Sequence, residues 1–356
     1  MSNIQFIKTS TPKQRPDNDS LQFGSIFTDH MFVMDYSTDK GWYDPRIVPY
    51  GPFEVEPSLM TFHYGQAIFE GLKAYRNIHG DIVTFRPLDN IARLNRSAER
   101  LCIPQVDEKL VWEALKKLLE IEKDWVPDGE GTSLYIRPFI IATDPSLGVR
   151  PSDTYKFFII LSPVGAYYAE GFKPVKIYVT DKYVRAARGG LGYTKAAANY
   201  AASLYAAEEA KKKGYTQVLW LDACSHSYVE EVGTMNIFFK IDGVLVTPSL
   251  EGGSILGGIT RDSVITLAES MGYKVEERLI SIQEVYEAHR QGKLEDVFGT
   301  GTAAVISPVG ELNWNDNIIK INDGEMGEFS KMMYDKLTGI QYGKEEDSFG
   351  WIEKIC

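Results

Sequence analysis

Tyr183-Val-Arg-Ala-Ala-Arg-Gly-Gly-Leu-Gly-Tyr-Thr-Lys-Ala-Ala-Ala-Asn-Tyr200 is the least ordinary stretch of this chain. Gly189, Gly190 and Gly192 lead into one lysine, Lys195, and an alanine-rich helical segment follows to about Ala210. Small residues on both sides let other groups approach the backbone closely and leave the lysine amine in a confined space. An amine held there can attack a carbonyl carbon and form a Schiff base. The plainer reading is a glycine loop before a surface helix, with Lys195 in solvent.

Elements of mixed type surround this stretch. Towards the N-terminus, Asp81 to Arg86 has strand composition. A helix carrying Leu88, Ile91, Leu94 and Leu101 follows, with Asp89 placed to cap it. A second helix runs from about Asp107 to Trp125, its apolar face made by Val111, Leu115, Leu118 and Ile121. Strands are expected at Ser133 to Ala142 and Tyr155 to Leu161. Residues 1 to 30 are polar, contain Pro12 and Pro16, and read as a loosely attached arm.

Ser162 to Pro174, with two prolines and two glycines, reads as an interdomain connector. Beyond it, strands are expected at Val175 to Thr180, Gln217 to Asp222, Met235 to Ile241 and Val244 to Thr247, the last two joined by the turn pair Asp242-Gly243. Ser281 with Glu284 is a capping-box pattern opening a helix that ends near Gly292. Helices and antiparallel strands mix without regular βαβ alternation. That predicts an α+β protein of two domains, residues 1–161 and 175–356.

A length of 356 residues suits two domains at roughly 150 residues each. With 44 % hydrophobic and 24 % charged residues, disordered, collagenous and coiled-coil classes are excluded. The net charge of −11 opposes nucleic acid and anionic lipid as partners, yet permits one small basic pocket. No apolar run approaches the roughly 20 residues that span a bilayer. Three scattered cysteines (Cys102, Cys224 and Cys356) offer neither a disulfide framework nor a zinc site, which points to a cytoplasmic compartment. The five histidines have no metal-ligand spacing, so no metal is expected.

Other segments carry chemistry. Val229-Glu-Glu-Val-Gly-Thr-Met-Asn236 is either an acidic turn or a buried carboxylate facing a cationic ring nitrogen. Gly252-Gly-Ser-Ile-Leu-Gly-Gly-Ile-Thr-Arg-Asp262 opens a helix, with Thr260 as candidate cap, and a glycine-freed helix start is an anion site. Gly299-Thr-Gly-Thr-Ala-Ala304 is a second candidate phosphate loop or an ordinary glycine turn. Its loose dinucleotide-fingerprint spacing is discounted by Pro308 and Gly310, which stand where a helix should run. Arg93, Arg96 and Arg100 share one helix face, and one turned inward would fork a phosphate.

These motifs occur in one order, together with Tyr50-Gly-Pro-Phe53, Met60-Thr-Phe-His-Tyr-Gly-Gln-Ala-Ile-Phe-Glu-Gly-Leu-Lys-Ala-Tyr75, Leu134-Tyr-Ile-Arg-Pro138, Pro145-Ser-Leu-Gly-Val149 and Leu337 to Glu346. The set resembles the branched-chain amino acid aminotransferases, pyridoxal 5'-phosphate enzymes of fold type IV, over most of the chain. The resemblance implies a small N-terminal domain, a larger cofactor-binding domain with a barrel-like mixed sheet, and transamination between L-leucine, L-isoleucine or L-valine and 2-oxoglutarate. It implies that Lys195 bonds the cofactor and shuttles the proton, and that Glu231, rather than Glu230, pairs with the ring nitrogen. Tyr200 would bond the phenolic oxygen, with Thr234 beside the ring. Arg93, Ile259, Thr260 and Thr302 would hold the phosphate, with Arg185 nearby. Tyr64, Phe69, Tyr135 and Arg137 would line the substrate side, and the amides of Thr302 and Ala303 would take the substrate carboxylate. Leu147 and Val149 match a loop that enters the partner's pocket, which implies a homodimer at least. A D-amino acid aminotransferase or aminodeoxychorismate lyase shares the lysine and glutamate but differs around Tyr64 to Glu70 and Tyr135 to Pro138. Animal members carry a Cys-x-x-Cys redox pair after Gly-Thr-Ala, where this chain has Ala304 and Ser307.

Overall fold

The computed structural model describes residues 4–165 and 173–356. The chain divides into two compact units. One is Met1–Tyr167 with Thr194–Ala198 and Gly339–Cys356; the other is Tyr168–Tyr193 with Asn199–Thr338.

In chain order the first unit begins with β1 (Gln5–Phe6), β2 (His30–Ser37), β3 (Gly41–Pro49), α1 (Met60–Tyr64), β4 (Ala67–Phe69), β5 (Leu72–Arg76) and β6 (Ile82–Phe85). It continues with α2 (Pro87–Arg100), α3 (Glu108–Ile121), β7 (Ser133–Ala142) and β8 (Thr154–Val164). The second unit follows with β9 (Val175–Val179), then α4 (Ala197–Lys212), whose first residues count with the first unit, then β10 (Gln217–Leu221), β11 (Val229–Val232), β12 (Asn236–Ile241) and β13 (Val244–Pro248). Then come α5 (Ile259–Ser270), β14 (Val275–Arg278), α6 (Ile282–Arg290), β15 (Leu294–Gly301), β16 (Val305–Trp314), β17 (Asn317–Lys320), α7 (Glu328–Gln341) and the terminal β18 (Ile352–Lys354).

The first sheet runs β1-β3-β2-β8-β7-β5-β6-β18, with β4 added to β7, and is antiparallel except at β1–β3. Side chains alternate across it, as strand geometry requires. Phe157, Ile159 and Leu161 of β8 pack with Val111, Leu115 and Leu118 of α3 in the main core. Phe158 points the other way, to a smaller cluster with Met31 and Val33. Each such side chain contributes on the order of 2 kcal/mol when fully buried. The second sheet, β11-β10-β9-β16-β15-β12-β13-β14 with β17 on β16, is mixed: β10–β9, β9–β16 and β13–β14 are parallel. Its core gathers Ile177, Leu219, Ile237, Phe239, Val297 and Leu312. The α+β class expected from the sequence is the one observed.

Several local signals acted as read. Asp107 caps α3 by accepting from the Lys109 and Leu110 amides. Asp242 and Gly243 both take positive φ (51° and 79°), which a primed hairpin turn requires. Ser281 caps α6 through the Glu284 amide, although the Glu284 carboxylate engages Arg278.

Other expectations need correction. The arm of residues 1–30 is tied down: β1 pairs with β3, and Thr9 N–H donates to His30 Nε2 at 2.9 Å. Lys13 Nζ donates to the carbonyls of Phe27 and Thr28. Because His30 Nε2 accepts, the ring's proton lies on Nδ1, which bonds the buried Glu122. Asp89 does not cap α2. Arg86, at φ 49°, stands at that position, and Asp89 takes its guanidinium in the first turn. The second helix ends at Ile121, with a separate 3-10 turn at Lys123–Trp125. Of the connector, Ser162 to Val164 complete β8, and residues 166–172 lie outside the described residues. The tail differs from its sequence assignment to the second half: β18 pairs with β6, and Tyr342 packs edge-on against Tyr75, so Gly339–Cys356 belongs to the first unit.

Lys73, unremarked in the sequence, is buried in β5, and burial pushes its amine from the ordinary 10.5 down to about 8. Between those values the unfolded chain binds a proton that the fold excludes, so stability rises with pH. Relative to Lys73→Met, the wild type should gain about 2 kcal/mol between pH 7 and 9.5 in denaturant melts. A difference between the two that stays flat with pH would contradict this.

Candidate active site

In the first unit the backbone of Lys195 is pinned on both sides. Its amide donates to Ser97 Oγ of α2 at 3.1 Å, its carbonyl accepts from the Phe69 amide at 3.0 Å, and Ala196 bridges Ile68. The amine lies over the Phe69 ring, 4.9 Å from its centre. Arg137 covers the same ring at 4.6 Å, and its Nη2 donates to Tyr135 Oη at 3.1 Å. Gly71 lets Tyr135 settle there, because a Cβ at that position would stand 2.0 Å from Tyr135 Oη. Phe69, Tyr135, Arg137 and Lys195 therefore form one group.

Of the arginine stripe on α2, Arg96 and Arg100 are exposed, and Arg93 turns inward. Its Nε and Nη2 donate to the two carboxylate oxygens of Glu70 at 2.8 and 2.9 Å, and Asn90 Nδ2 donates to the same carboxylate. Burial raises the Glu70 carboxyl, but Arg93, the Asn90 bond and nearby Lys195 outweigh it, leaving it below the usual range. Glu70 is thus a charged residue that orients Arg93, a role sequence reasoning did not assign.

Tyr64 is exposed, and its hydroxyl donates to the Leu147 carbonyl. Leu147 and Val149 are 65 % and 83 % exposed. Phe23, from the polar arm, packs edge-on against Tyr135 with centroids 4.8 Å apart. Nothing periodic in the arm marks Phe23, so sequence reading missed it.

In the second unit, Glu230 and Glu231 lie buried within β11, not in an acidic turn. Glu231 Oε2 pairs with Arg185 Nε at 3.1 Å, and Oε1 accepts from the Leu256 amide at 2.7 Å. Arg185 Nη2 also donates to the carbonyls of Gly192 and Ser254. The glycine loop exists for this contact: a Cβ on Gly192 would meet Ser254 O at 2.1 Å. Asn199 Nδ2 ties the same loop through Leu191 O at 2.8 Å. Tyr200 is half-buried, and Thr234 is exposed on the turn after Gly233 (φ 56°).

Thr260 is not a cap. Gly258 holds the N-cap of α5 with no side-chain cap bond, and Ile259 and Thr260 occupy its first turn. A Cβ on Gly258 would fall 2.0 Å from Asn236 Oδ1, and Asn236 Nδ2 holds the Leu256 carbonyl at 2.8 Å. Gly299-Thr-Gly301 runs within β15, so the candidate loop shrinks to Thr302, Ala303 and Ala304 between paired Gly301 and Val305. Val305 takes φ 62°, a strained state for a β-branched residue costing on the order of 1–3 kcal/mol.

The parts can be judged against an anionic, ring-bearing carbonyl cofactor. A helix start capped by glycine suits a phosphate. A buried carboxylate paired with Arg185 suits a protonated ring nitrogen. Lys195, placed by two backbone bonds, suits a carbonyl carbon. Ala304 and Ser307 are buried, and the cysteines are Cys102, Cys224 and Cys356, all exposed. Mild peroxide should therefore leave turnover unchanged, whereas inactivation reversed by dithiothreitol would contradict this. Among the described residues no group of side chains could hold a metal, and no helix is long and apolar enough to cross a membrane.

The model of the family Amino-transferase class IV matches residues 67–312. The chain is 60 % identical over 348 residues to branched-chain-amino-acid aminotransferase 2 of Bacillus subtilis (strain 168), covering 98 % of this chain and 96 % of that protein. Among solved structures, it resembles a branched-chain amino acid aminotransferase of Escherichia coli (TM-score 0.75, 28 % identity, 92 % of this chain and 99 % of that one). It also resembles a T.th. branched-chain amino acid aminotransferase with pyridoxamine 5'-phosphate (TM-score 0.74, 26 % identity, 91 % and 98 %).

Proposed function

The chain belongs to the class IV aminotransferases, and from that premise we propose that it transfers the amino group of L-leucine, L-isoleucine or L-valine to 2-oxoglutarate, with pyridoxal 5'-phosphate as cofactor. The observation that carries this reading is the 60 % identity to a branched-chain enzyme over 98 % of the chain. Its pyridoxamine-bearing structural relative supports the choice of cofactor.

Pyridoxal phosphate, when bound, supplies an electron sink for the charge left at Cα when its proton departs. Lys195 would hold the cofactor through its carbonyl carbon, and its amine would be the base that takes the Cα proton from the substrate and returns it at the cofactor carbon C4′. Glu231 would pair with the protonated ring nitrogen, and Arg185 holds the Glu231 carboxylate in place for that task. Tyr200 and Thr234 would flank the ring. Arg93, the first-turn amides at Ile259 and Thr260, and Thr302 would hold the phosphate. Phe69, Tyr135 and Arg137 face the substrate side chain: the rings suit an aliphatic group, while the guanidinium suits the second carboxylate of 2-oxoglutarate. The Thr302 and Ala303 amides receive the α-carboxylate, and Tyr64 holds the loop at Leu147.

Leu147 and Val149, apolar and open to solvent, fit a loop covered by a second copy of the chain, so the working unit is a homodimer or larger. A coupled assay of L- and D-amino acids with 2-oxoglutarate, with and without added cofactor, tests the reading. Cofactor-dependent turnover of the three branched L-amino acids is expected. Turnover confined to D-alanine would assign the chain to the D-amino acid branch instead.

A further inference from the structure

Neighbouring residues on a strand point to opposite faces. Glu231 turns to Arg185; Glu230 turns to a cavity of about 720 Å³ whose lining lies entirely within the second unit. That volume suits a small molecule. Glu230 is only 7 % exposed. One carboxylate oxygen accepts from Ser254 Oγ, and the other, Oε2, has no hydrogen-bond partner among the described residues. A buried carboxylate oxygen without a donor is costly, and burial accordingly pushes this carboxyl above its usual range.

The same cavity is lined by Arg188, an exposed guanidinium with no ion pair among the described residues. Arg188 Nε and Ser254 Oγ each lie 3.5 Å from the point where a Cβ would stand on Gly252. The guanidinium and the Glu230 carboxylate are therefore within one small molecule's span of each other. Ile255 and Leu279 supply apolar wall. Glu251 and Glu277 also line the space, so a simple anion is repelled, and an orphan acceptor opposite an unpaired guanidinium matches a zwitterion.

We propose that this cavity is a second small-molecule site, which takes an aliphatic α-amino acid with its ammonium on Glu230, its carboxylate on Arg188 and its side chain against Ile255 and Leu279. Occupancy bears on the catalytic carboxylate, because Ser254 links the two: its hydroxyl meets Glu230, and its carbonyl holds Arg185.

The test uses the holoenzyme and α-methyl-L-leucine, which lacks a Cα hydrogen and cannot be transaminated. Calorimetry or equilibrium dialysis counts the molecules bound, and the cofactor's visible absorbance reports those that reach it. Two molecules per chain are expected, one of them spectrally silent. Arg188→Ala and Glu230→Gln should each weaken the silent site at least about tenfold, the loss of one charge-assisted hydrogen bond. Arg188→Ala should leave the spectral site unchanged. A single molecule per chain, or silent binding indifferent to both variants, overturns the proposal. Silent binding without any spectral response would count against the aminotransferase reading and leave this site standing.

Discussion

Lys195→Ala should lower kcat/KM by at least about 10⁴-fold, the scale on which covalent enzymes lose activity when the nucleophile is removed. The loss should be chemical, not structural. The bonds that place residue 195, from its amide to Ser97 and from Phe69 to its carbonyl, belong to the backbone and survive the change. The amine's contact over the Phe69 ring is lost, about 0.5–1 kcal/mol, together with its pull on the Glu70 carboxylate, which Arg93 still holds. Thermal melting should therefore barely move, and the purified variant should lose the visible band of lysine-bound cofactor. A variant that still turns over would end the role given to this residue.

Glu231→Gln should damage both activity and stability, by separable causes. The amide can still accept from Leu256, but it cannot hold a proton on a ring nitrogen. A loss of about 10²–10³-fold in kcat is expected, as when one preorganised electrostatic partner is removed. The substitution also strands the buried Arg185 guanidinium, at a cost of about 3–5 kcal/mol. Adding Arg185→Met should restore much of the stability without restoring turnover. A double variant that recovers both would show that Glu231 serves the fold alone.

Local signals in this sequence were legible because local chemistry settles them. The Asp107 cap, the Asp242-Gly243 turn and the apolar alternation of β8 each depend on residues a few positions apart. Misreadings occur where distant partners decide. The arm looks loose by composition, yet β3 and His30 hold it. Thr260 has a capping side chain, but the close approach of Asn236 requires glycine two positions earlier, at the N-cap. The tail joins the first unit through a strand pair spanning most of the chain. In the candidate site, the lysine and the glutamate pair stood out by motif. Glu70 behind Arg93, Phe23 on Tyr135 and the pairing of Arg185 with Glu231 did not, since each is a contact between remote segments.

One rival follows from the physics itself. Lys73 is the lysine whose amine burial brings to about 8, and such an amine is a candidate nucleophile on that ground alone. Reducing the holoenzyme with borohydride fixes the cofactor to whichever lysine carries it, and peptide mass mapping then names that residue. The account predicts the cofactor's mass on the peptide containing Lys195 and on no other. Label on Lys73, or no label on any lysine, would contradict it.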